Sequence, residues 1–218
     1  MVKKKRNIKL KIKRINVALI ILSIIFIILA VCLVILGKNT FKKKSNAAEA
    51  EIVDKIEKYD YYITDRSTEY FKKLYEELKK ILNEEKLDEE KYVSKLGQLF
   101  AADFYDLDSK ISKSDVGGVQ FIYDSFQDIF VKKASDSNGM YYYVKSNIYG
   151  DRKQTLPKVK EVSVESVKKI SFINEPYKDE NAYEVKVKIT YTSDLGYPSN
   201  VTLVFAHNDT KLEIVEVK

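Results

Sequence analysis

The densest acidic group of the sequence comprises four aspartates: Asp103, Asp106, Asp108 and Asp115. Carboxylate oxygens are the ligands that Ca²⁺ prefers, so a calcium loop is one interpretation of this group. A loop of the EF-hand type needs a third acidic or amide ligand two residues after the second, and a distal Glu. Lys110 stands at that third position and cannot bind a cation, so we expect solvent-facing and capping acids around a turn.

The chain has one histidine, His207, which is the side chain best suited to acid–base catalysis near neutral pH. It lies in a predicted strand whose alternation places it on the same face as Val201, Leu203 and Phe205. Spacing identifies no catalytic partner, and no serine stands in a G-x-S-x-G turn. One Cys and one His also exclude a Cys/His zinc site. We therefore predict an ordinary edge or core histidine, with no catalytic residue, no metal site and no cofactor.

The chain has 16 tyrosines, several of them adjacent in sequence. Exposed tyrosines form protein interfaces or line ligand cups, whereas core tyrosines pack with the hydroxyl reaching water. Because the chain has no Trp, we favour core packing for most of them. The candidates for a ligand cup or an interface are Tyr141, Tyr142, Tyr143, Tyr191 and His207.

Asp115, Gly117 and Gly118 form a turn motif ahead of a predicted helix. Paired glycines serve positions with positive φ or with a close backbone contact. The G-x-x-x-x-G-K pattern of a phosphate loop is absent from the sequence. We therefore expect a structural role for this motif.

The formal charge of +6 divides unequally along the 218 residues. Residues 1–44 hold twelve of the 38 bases and no acid, so residues 45–218 have 26 bases against 32 acids, a net charge of −6. A nucleic-acid-binding module is basic where it binds, so we predict no nucleic-acid partner. Residues 1–16 are a basic cytoplasmic arm that we expect to face anionic lipid headgroups. Its bases are Lys3, Lys4, Lys5, Arg6, Lys9, Lys11, Lys13 and Arg14.

Residues 17–37 are predicted to be a transmembrane signal anchor. Val17–Leu36 are twenty uncharged residues, enough for a helix that spans the roughly 30 Å hydrocarbon core. The excess of bases before this segment places the N-terminus in the cytoplasm and the C-terminal domain outside the cell membrane. A polar stalk, residues 38–46, leads to an extracellular domain, residues 47–218.

Three alternatives to an uncleaved anchor are weaker. Residues 48–50 (AEA) fit a signal-peptidase site, but they lie well beyond the apolar run, which is longer than a signal-peptide core. Cys32 ends a lipobox-like stretch, but Val31 replaces the small residue and the apolar run continues. A buried core helix is rarely apolar on all sides over such a length.

The outer domain is predicted to be α+β, with helices packed on a curved antiparallel sheet. Apolar residues at helical spacing, together with one N-cap, predict four helices: residues 47–63, residues 68–86, one that begins after Asp88, and residues 118–134. Alternating or β-branched stretches predict four strands: residues 158–173, 183–192, 201–207 and 212–217. Asn208–Asp209 predicts a hairpin turn between the last two strands, and Tyr141–Val144 is β-prone.

A basic arm, one membrane helix, and helices followed by a curved antiparallel sheet resemble the membrane-anchored NTF2-like (cystatin-like) ectodomains. The VirB8/TcpC-type subunits of conjugation and type IV secretion systems are proteins of this kind that the chain resembles. The resemblance rests on the order of elements, so it assigns no site residue. It implies a sheet that wraps around a long helix to form a cup, and a role as a non-enzymatic scaffold component.

We therefore expect a single-pass, non-enzymatic assembly or scaffold protein of the bacterial cell envelope. Its partners would be the lipid bilayer and other proteins, or further copies of itself. The alternative is an NTF2-like cup on the cell surface that binds a small ligand or acts as an enzyme, which needs a deep pocket between sheet and helices. A sensor that signals through the cytoplasmic arm is a weaker hypothesis, because sixteen residues are short for that task.

Overall fold

The computed structural model describes residues 50–174 and 177–218, so the predicted basic arm, anchor and stalk lie outside the described residues. Its helices precede a large antiparallel sheet, which confirms the predicted α+β class. The elements are β1 (Ile52–Ile56), β2 (Tyr61–Thr64), α1 (Glu69–Leu82), α2 (Glu89–Phe104), α3 (Gln127–Ser135), β3 (Val159–Asn174), β4 (Tyr177–Tyr191), β5 (Asn200–Asn208) and β6 (Lys211–Val217).

Strands β3 to β6 form a four-stranded antiparallel sheet in chain order. The register shifts at three places between β3 and β4 and at one place between β5 and β6. Because such bulges bend a strand and increase its twist, the sheet is curved. Asp209 takes a left-handed φ of 53° in the β5–β6 hairpin, at the predicted turn.

Strand β4 begins earlier than the predicted start at residue 183. Strand β5 pairs with β4 only over Tyr183–Lys188, whereas the pairing of β3 with β4 continues to Asn174 and Tyr177. The two long strands therefore extend beyond the sheet as a two-stranded arm. Asp179, a residue of this arm, reaches back to strand β5.

Helices α1 and α2 begin where the sequence predicts. The Thr68 hydroxyl accepts a hydrogen bond of 3.2 Å from the backbone N–H of Phe71, and the Asp88 carboxylate accepts one of 3.1 Å from that of Lys91. Each cap satisfies an amide that the first helical turn leaves free. Helix α1 ends at Leu82, before the predicted end at residue 86.

Helix α2 lies directly on one face of the sheet. An added Cβ at Gly97 would lie 3.2 Å from Cγ1 of Val185 and 3.4 Å from Cγ1 of Val187, so this glycine permits the close approach. Apolar side chains fill the layer between α2 and the sheet, among them Leu96, Phe100, Val185, Val187, Leu203 and Phe205.

The predicted helix over residues 47–63 is wrong, because Ile52–Ile56 and Tyr61–Thr64 form the β1–β2 hairpin. The apolar spacing that suggested a helix also fits two short strands with a turn between them. Asp60 closes that turn with a left-handed φ of 61°, and its N–H donates to the Ile56 carbonyl oxygen at 2.8 Å. Tyr61 and Ile63 then alternate inward along β2, as β-prone residues do.

The single helix predicted over residues 118–134 is also wrong. Two 3-10 turns, Val119–Phe121 and Asp124–Phe126, precede the short helix α3. Extended backbone at Ile122, with ψ of 138°, separates the two turns. Tyr141–Val144 is a turn and not a strand. In the part of the chain that the structure describes, no helix combines the length and the apolar character that a membrane crossing requires.

Candidate functional site

The longest irregular segment among the described residues runs from 136 to 158, between α3 and β3. Long loops without helix or strand are uncommon in compact domains, and they often carry function. Side chains from within this loop, and backbone groups of the segment after α2, hold it in place. We therefore treat it as a candidate functional site.

Arg152 is the main anchor of this loop. Its side chain is only 3% exposed, and each guanidinium Nη atom donates a hydrogen bond of 2.6 Å to a backbone carbonyl. The acceptors are the carbonyl oxygens of Lys110 and Asp108, in the segment that follows α2. The rigid fork of the guanidinium thus fixes the loop to the end of that helix.

One polar side chain and one backbone amide add further connections. The Gln154 amide accepts a hydrogen bond of 2.9 Å from the N–H of Lys145 and donates one of 2.9 Å to the Tyr143 carbonyl oxygen. The backbone N–H of Asn147 donates to the Ile111 carbonyl oxygen at 2.7 Å. These bonds satisfy backbone groups that have no strand partner, so the loop has a defined conformation.

The loop makes two β-turns. In the first, the N–H of Val144 donates to the Tyr141 carbonyl oxygen at 3.0 Å, which places Tyr142 and Tyr143 at the centre. The aromatic rings of Tyr142 and Tyr143 contact each other edge to face, with centroids 4.9 Å apart. The first turn therefore presents a pair of aromatic side chains.

In the second turn, the N–H of Gly150 donates to the Asn147 carbonyl oxygen at 3.1 Å. Ile148 and Tyr149 occupy its centre, and Gly150 follows with a φ of 70° that favours glycine. We call the four central side chains the turn surface. Their exposed fractions are 40% for Tyr142, 72% for Tyr143, 45% for Ile148 and 89% for Tyr149.

Tyr141 is buried and belongs to the core, unlike its two neighbours. Its hydroxyl donates to the Phe104 carbonyl oxygen at 2.7 Å and accepts from the N–H of Gly117 at 3.1 Å. Burial, together with the nearby Asp103 carboxylate, raises the pKa of this hydroxyl well above its usual value. Tyr141 therefore joins the loop to the end of α2.

The glycine motif, Asp115, Gly117 and Gly118, contacts the Tyr141 hydroxyl through Gly117. Gly118 has a φ of 75°, and its N–H donates to the Asp103 carboxylate at 2.7 Å. A Cβ at Gly117 would lie 2.4 Å from the Asp103 carbonyl oxygen, so only glycine fits there without a shift. Asp115 accepts a hydrogen bond of 2.9 Å from the N–H of Ile111. The motif thus packs tightly against the end of α2.

The remaining acids of the 103–115 group also bond to neighbouring groups. Asp106 is buried and accepts from the N–H groups of Ser109 and Val159, at 3.1 and 3.2 Å. Burial raises the pKa of Asp106 despite those bonds. Lys110 forms an ion pair with Asp103. Across residues 50–174 and 177–218, no three His, Cys, Asp or Glu side chains are grouped so that they could hold a metal ion.

A cavity of about 460 Å³ lies beside these acids, walled by β2, the start of α1 and the glycine motif. Its wall contains two bases, Arg66 and Lys110, and two acids, Asp103 and Asp115. Nη1 of Arg66 is 3.5 Å from the Asp115 carboxylate, and its Nε and Nη1 atoms make no hydrogen bond with any described residue. The charges of the cavity wall therefore nearly cancel, and the Arg66 guanidinium keeps unused hydrogen-bond donors.

His207 lies at the other end of α2, beside two carboxylates. Its Nδ1 is 2.8 Å from the Asp179 carboxylate, and its Nε2 is 3.6 Å from the Glu89 carboxylate. Asp179 also accepts from the backbone N–H of His207. Burial would raise the pKa of Asp179, but the hydrogen bonds from His207 outweigh that effect and lower it. The Tyr183 hydroxyl donates to Glu89 at 2.7 Å.

The five residues proposed for a cup or an interface therefore do not converge. Tyr141 contacts the last residue of α2, whereas His207 lies near the first, and these ends are about 24 Å apart for a helix of 16 residues. The Tyr191 hydroxyl donates to the Pro198 carbonyl oxygen at 2.8 Å. Tyr142 and Tyr143 remain as an exposed pair. Ile148 and Tyr149 are exposed in the second turn of the same loop.

Comparisons of the chain with protein-family models, with curated proteins and with solved structures found no match.

Proposed function

We propose that the chain is a single-pass membrane-anchored, non-enzymatic assembly protein of the bacterial cell envelope. In this proposal, the outer domain binds another protein through the turn surface. The observation that carries it is the placement of four large apolar side chains at the centres of two β-turns. Turn centres usually take Gly, Pro, Asn, Asp or Ser, so this placement needs an explanation outside the fold.

Protein binding explains the composition of the turn surface. Tyrosines are enriched among the residues that contribute most to interface energy, because they combine a large apolar ring with a hydroxyl. Tyr143 and Tyr149 are among the most exposed large apolar residues of the described chain.

The anchoring of the loop also supports binding. Arg152 and Gln154 hold both turns before any partner arrives, so little conformational freedom is lost on association. Such pre-organisation increases affinity because it lowers the entropic cost of binding. The proposed site therefore depends on the buried side chain of Arg152, which lies outside the turn surface.

The candidate acid–base groups are held by contacts within the fold. Both ring nitrogens of His207 face carboxylates, and the carboxylate of Asp106 is occupied by two backbone N–H groups.

The predicted anchor at residues 17–37 and the resemblance to scaffold ectodomains of secretion systems support a place at the cell membrane. In that arrangement the N-terminus is cytoplasmic and the domain is extracellular.

Photo-crosslinking in intact cells tests the proposal. A photoreactive residue in place of Tyr149 or Tyr143 should give a protein adduct of the full-length chain. The matched control replaces Ile129 or Ile173, which are similarly exposed but lie outside the turn surface. Adducts at the controls alone, or at no position, would rule out the turn surface as an interface.

Protease treatment of intact cells tests the proposed topology. A tag at the C-terminus should be removed by the added protease, whereas a tag at the N-terminus should be protected. Protection of the C-terminal tag would contradict the extracellular placement. Lysed cells, in which both tags are accessible, provide the control.

A second candidate function is the binding of a small ligand, and the cavity beside Arg66 favours it. A volume of about 460 Å³ is in the range of ligand pockets. The guanidinium matches a carboxylate, which accepts two parallel hydrogen bonds from it. Small carboxylates should then raise the unfolding temperature of the full chain but not of Arg66→Ala. An equal response of both proteins would exclude this site.

A further inference from the structure

The turn surface lies in a basic region of an acidic domain. Residues 132–160 carry seven bases and two acids, whereas residues 45–218 as a whole have six more acids than bases. Lys145 and Lys153 are exposed within the loop, and Nζ of Lys113 lies 5.3 Å from the centre of the Tyr142 ring. We call the turn surface with these three lysines the basic pole.

An acidic segment lies at the opposite end of helix α2. Residues 84–91, which comprise the connection after α1 and the first turn of α2, hold five acids and two bases. Glu84, Glu85 and Glu90 are exposed, and we call them the acidic pole. Nζ of Lys91 is 3.9 Å from the Glu84 carboxylate, a distance too long for a strong ion pair, so the Glu84 carboxylate stays available to an external cation.

Helix α2 fixes the two poles relative to each other. The acidic pole includes its first turn, and Tyr141 and Arg152 fix the basic pole to its last residue and to the segment that follows. A helix of 16 residues is about 24 Å long, so the two poles lie near opposite ends of α2. One copy therefore has opposite charges near the two ends of this helix.

These charges select one type of partner for the turn surface. If two copies met through identical surfaces, both surfaces would carry Lys113, Lys145 and Lys153, and like charges on the two copies would repel. A contact between the basic pole of one copy and the acidic pole of the next joins opposite charges. Such a contact uses two different surfaces, so it repeats from copy to copy as a ring or a filament.

We propose that the chain assembles head to tail, with the turn surface of one copy bound to the Glu84–Glu85 segment of the next. The proposal rests on the function proposed above, because it uses the same turn surface and names its partner as a second copy. Tyr143 and Tyr149 provide the apolar contact, while the lysines provide orientation. Electrostatic pairing of this kind determines specificity and association rate more than affinity.

Charge reversal on full-length chains tests the proposal. One variant carries Lys145→Glu with Lys153→Glu, and the other carries Glu84→Lys with Glu85→Lys. All four positions are exposed, so both variants should fold. Two differently tagged copies are expressed in one membrane, solubilised in mild detergent, and scored by how much of one tag co-purifies with the other.

Two wild-type copies should co-purify. When both copies carry the same charge-reversal variant, the second tag should no longer co-purify. When one copy carries each variant, co-purification should return. The recovery follows because each reversed pole then meets its complement. The matched control, Lys186→Glu with Lys188→Glu, reverses two exposed lysines of β4 and should leave co-purification unchanged. Moderate salt should weaken the wild-type association, because exposed charges are screened.

Failure of this proposal is distinguishable from failure of the proposed function. If wild-type copies do not co-purify, if a self-paired variant keeps the second tag, or if the mixture of variants does not regain it, head-to-tail assembly is overturned. A crosslinked adduct of Tyr149 with a different protein would then leave the proposed function intact. The absence of any protein adduct at the turn surface would overturn both.

Discussion

The guanidinium of Arg152 donates a hydrogen bond of 2.6 Å to the carbonyl oxygen of Asp108, 44 residues earlier in the chain. This bond, and its counterpart to the Lys110 carbonyl oxygen, fix a loop without helix or strand to the end of the central helix. The exposed tyrosines are therefore presented by a rigid segment. The candidate interface depends on a side chain that is itself almost fully buried.

Arg152→Lys should release the loop while leaving the charge in place. Lysine cannot make the two forked hydrogen bonds, and a hydrogen bond from a charged group contributes about 1.5–3 kcal/mol. We expect the free energy of unfolding, measured by urea denaturation with tyrosine fluorescence, to fall by about 2 kcal/mol. Limited proteolysis should then cleave between residues 142 and 153. Unchanged proteolysis would show that the loop does not need this anchor.

Tyr141→Phe and Tyr143→Phe should differ although both remove one hydroxyl. The Tyr141 hydroxyl is buried between the Phe104 carbonyl oxygen and the Gly117 N–H, so its loss leaves both without a partner. We expect a loss of about 1–3 kcal/mol in the free energy of unfolding. Tyr143→Phe should change it by less than about 0.5 kcal/mol, because Tyr143 is exposed. Equal effects would contradict the assignment of Tyr141 to the core.

Gly118→Ala should be far more damaging than Gly196→Ala. Both glycines have a φ near 75°, so both variants introduce a similar backbone strain. A Cβ at Gly118 would lie 2.7 Å from Cδ2 of Phe100, whereas nothing lies within 4 Å of one at Gly196. The added clash should cost about 1–3 kcal/mol more in urea denaturation. Similar losses for both variants would show that the glycine motif does not pack as described.

The Asp179–His207 contact predicts a dependence of stability on pH. Because folding lowers the pKa of Asp179, its carboxylate stabilises the fold fully above the ordinary value of 3.8 and less as pH falls through the folded value. Asp179→Asn should therefore unfold at lower urea than the wild type at neutral pH. The difference should narrow below the ordinary pKa of 3.8 and close as pH falls through the lower pKa of the folded state.

The control for this prediction is Glu165→Gln on strand β3, where the side chain is exposed. It should track the wild type throughout the pH range. A difference between Asp179→Asn and the wild type that stays constant into acid would mean that the ionised carboxylate does not stabilise the fold. The urea midpoint at each pH is the quantity to compare.

The sheet and the first two helices could be predicted because local signals agree with the final packing there. Residues 183–192 alternate between apolar and polar, and Asp88 is a cap that needs only its own helix. The β1–β2 hairpin was not predictable in the same way. Ile52, Ile56 and Ile63 have helical spacing, and Asp60, which forces the turn, is not a glycine.

The candidate site depends on contacts between residues that are distant in sequence. Three adjacent tyrosines favour a strand by local propensity, but hydrogen bonds from Tyr141 and Arg152 impose a turn. Asp179 meets His207 from 28 residues away, because the β3–β4 arm extends beyond the sheet. No spacing rule within the sequence reveals such pairs. An aromatic residue beside a glycine, Tyr149–Gly150, is the local feature of the sequence that could have indicated the second turn.

Light scattering on the full-length protein, solubilised from its own membrane, tests most directly whether copies assemble through the turn surface. Assembly predicts a molar mass well above that of one chain plus its detergent. Tyr143→Ser with Tyr149→Ser should reduce it to a single chain, while Ile129→Ser with Ile173→Ser should leave it unchanged. A single chain in the wild type, or a large complex that keeps its mass in the tyrosine variant, would contradict assembly through the turn surface.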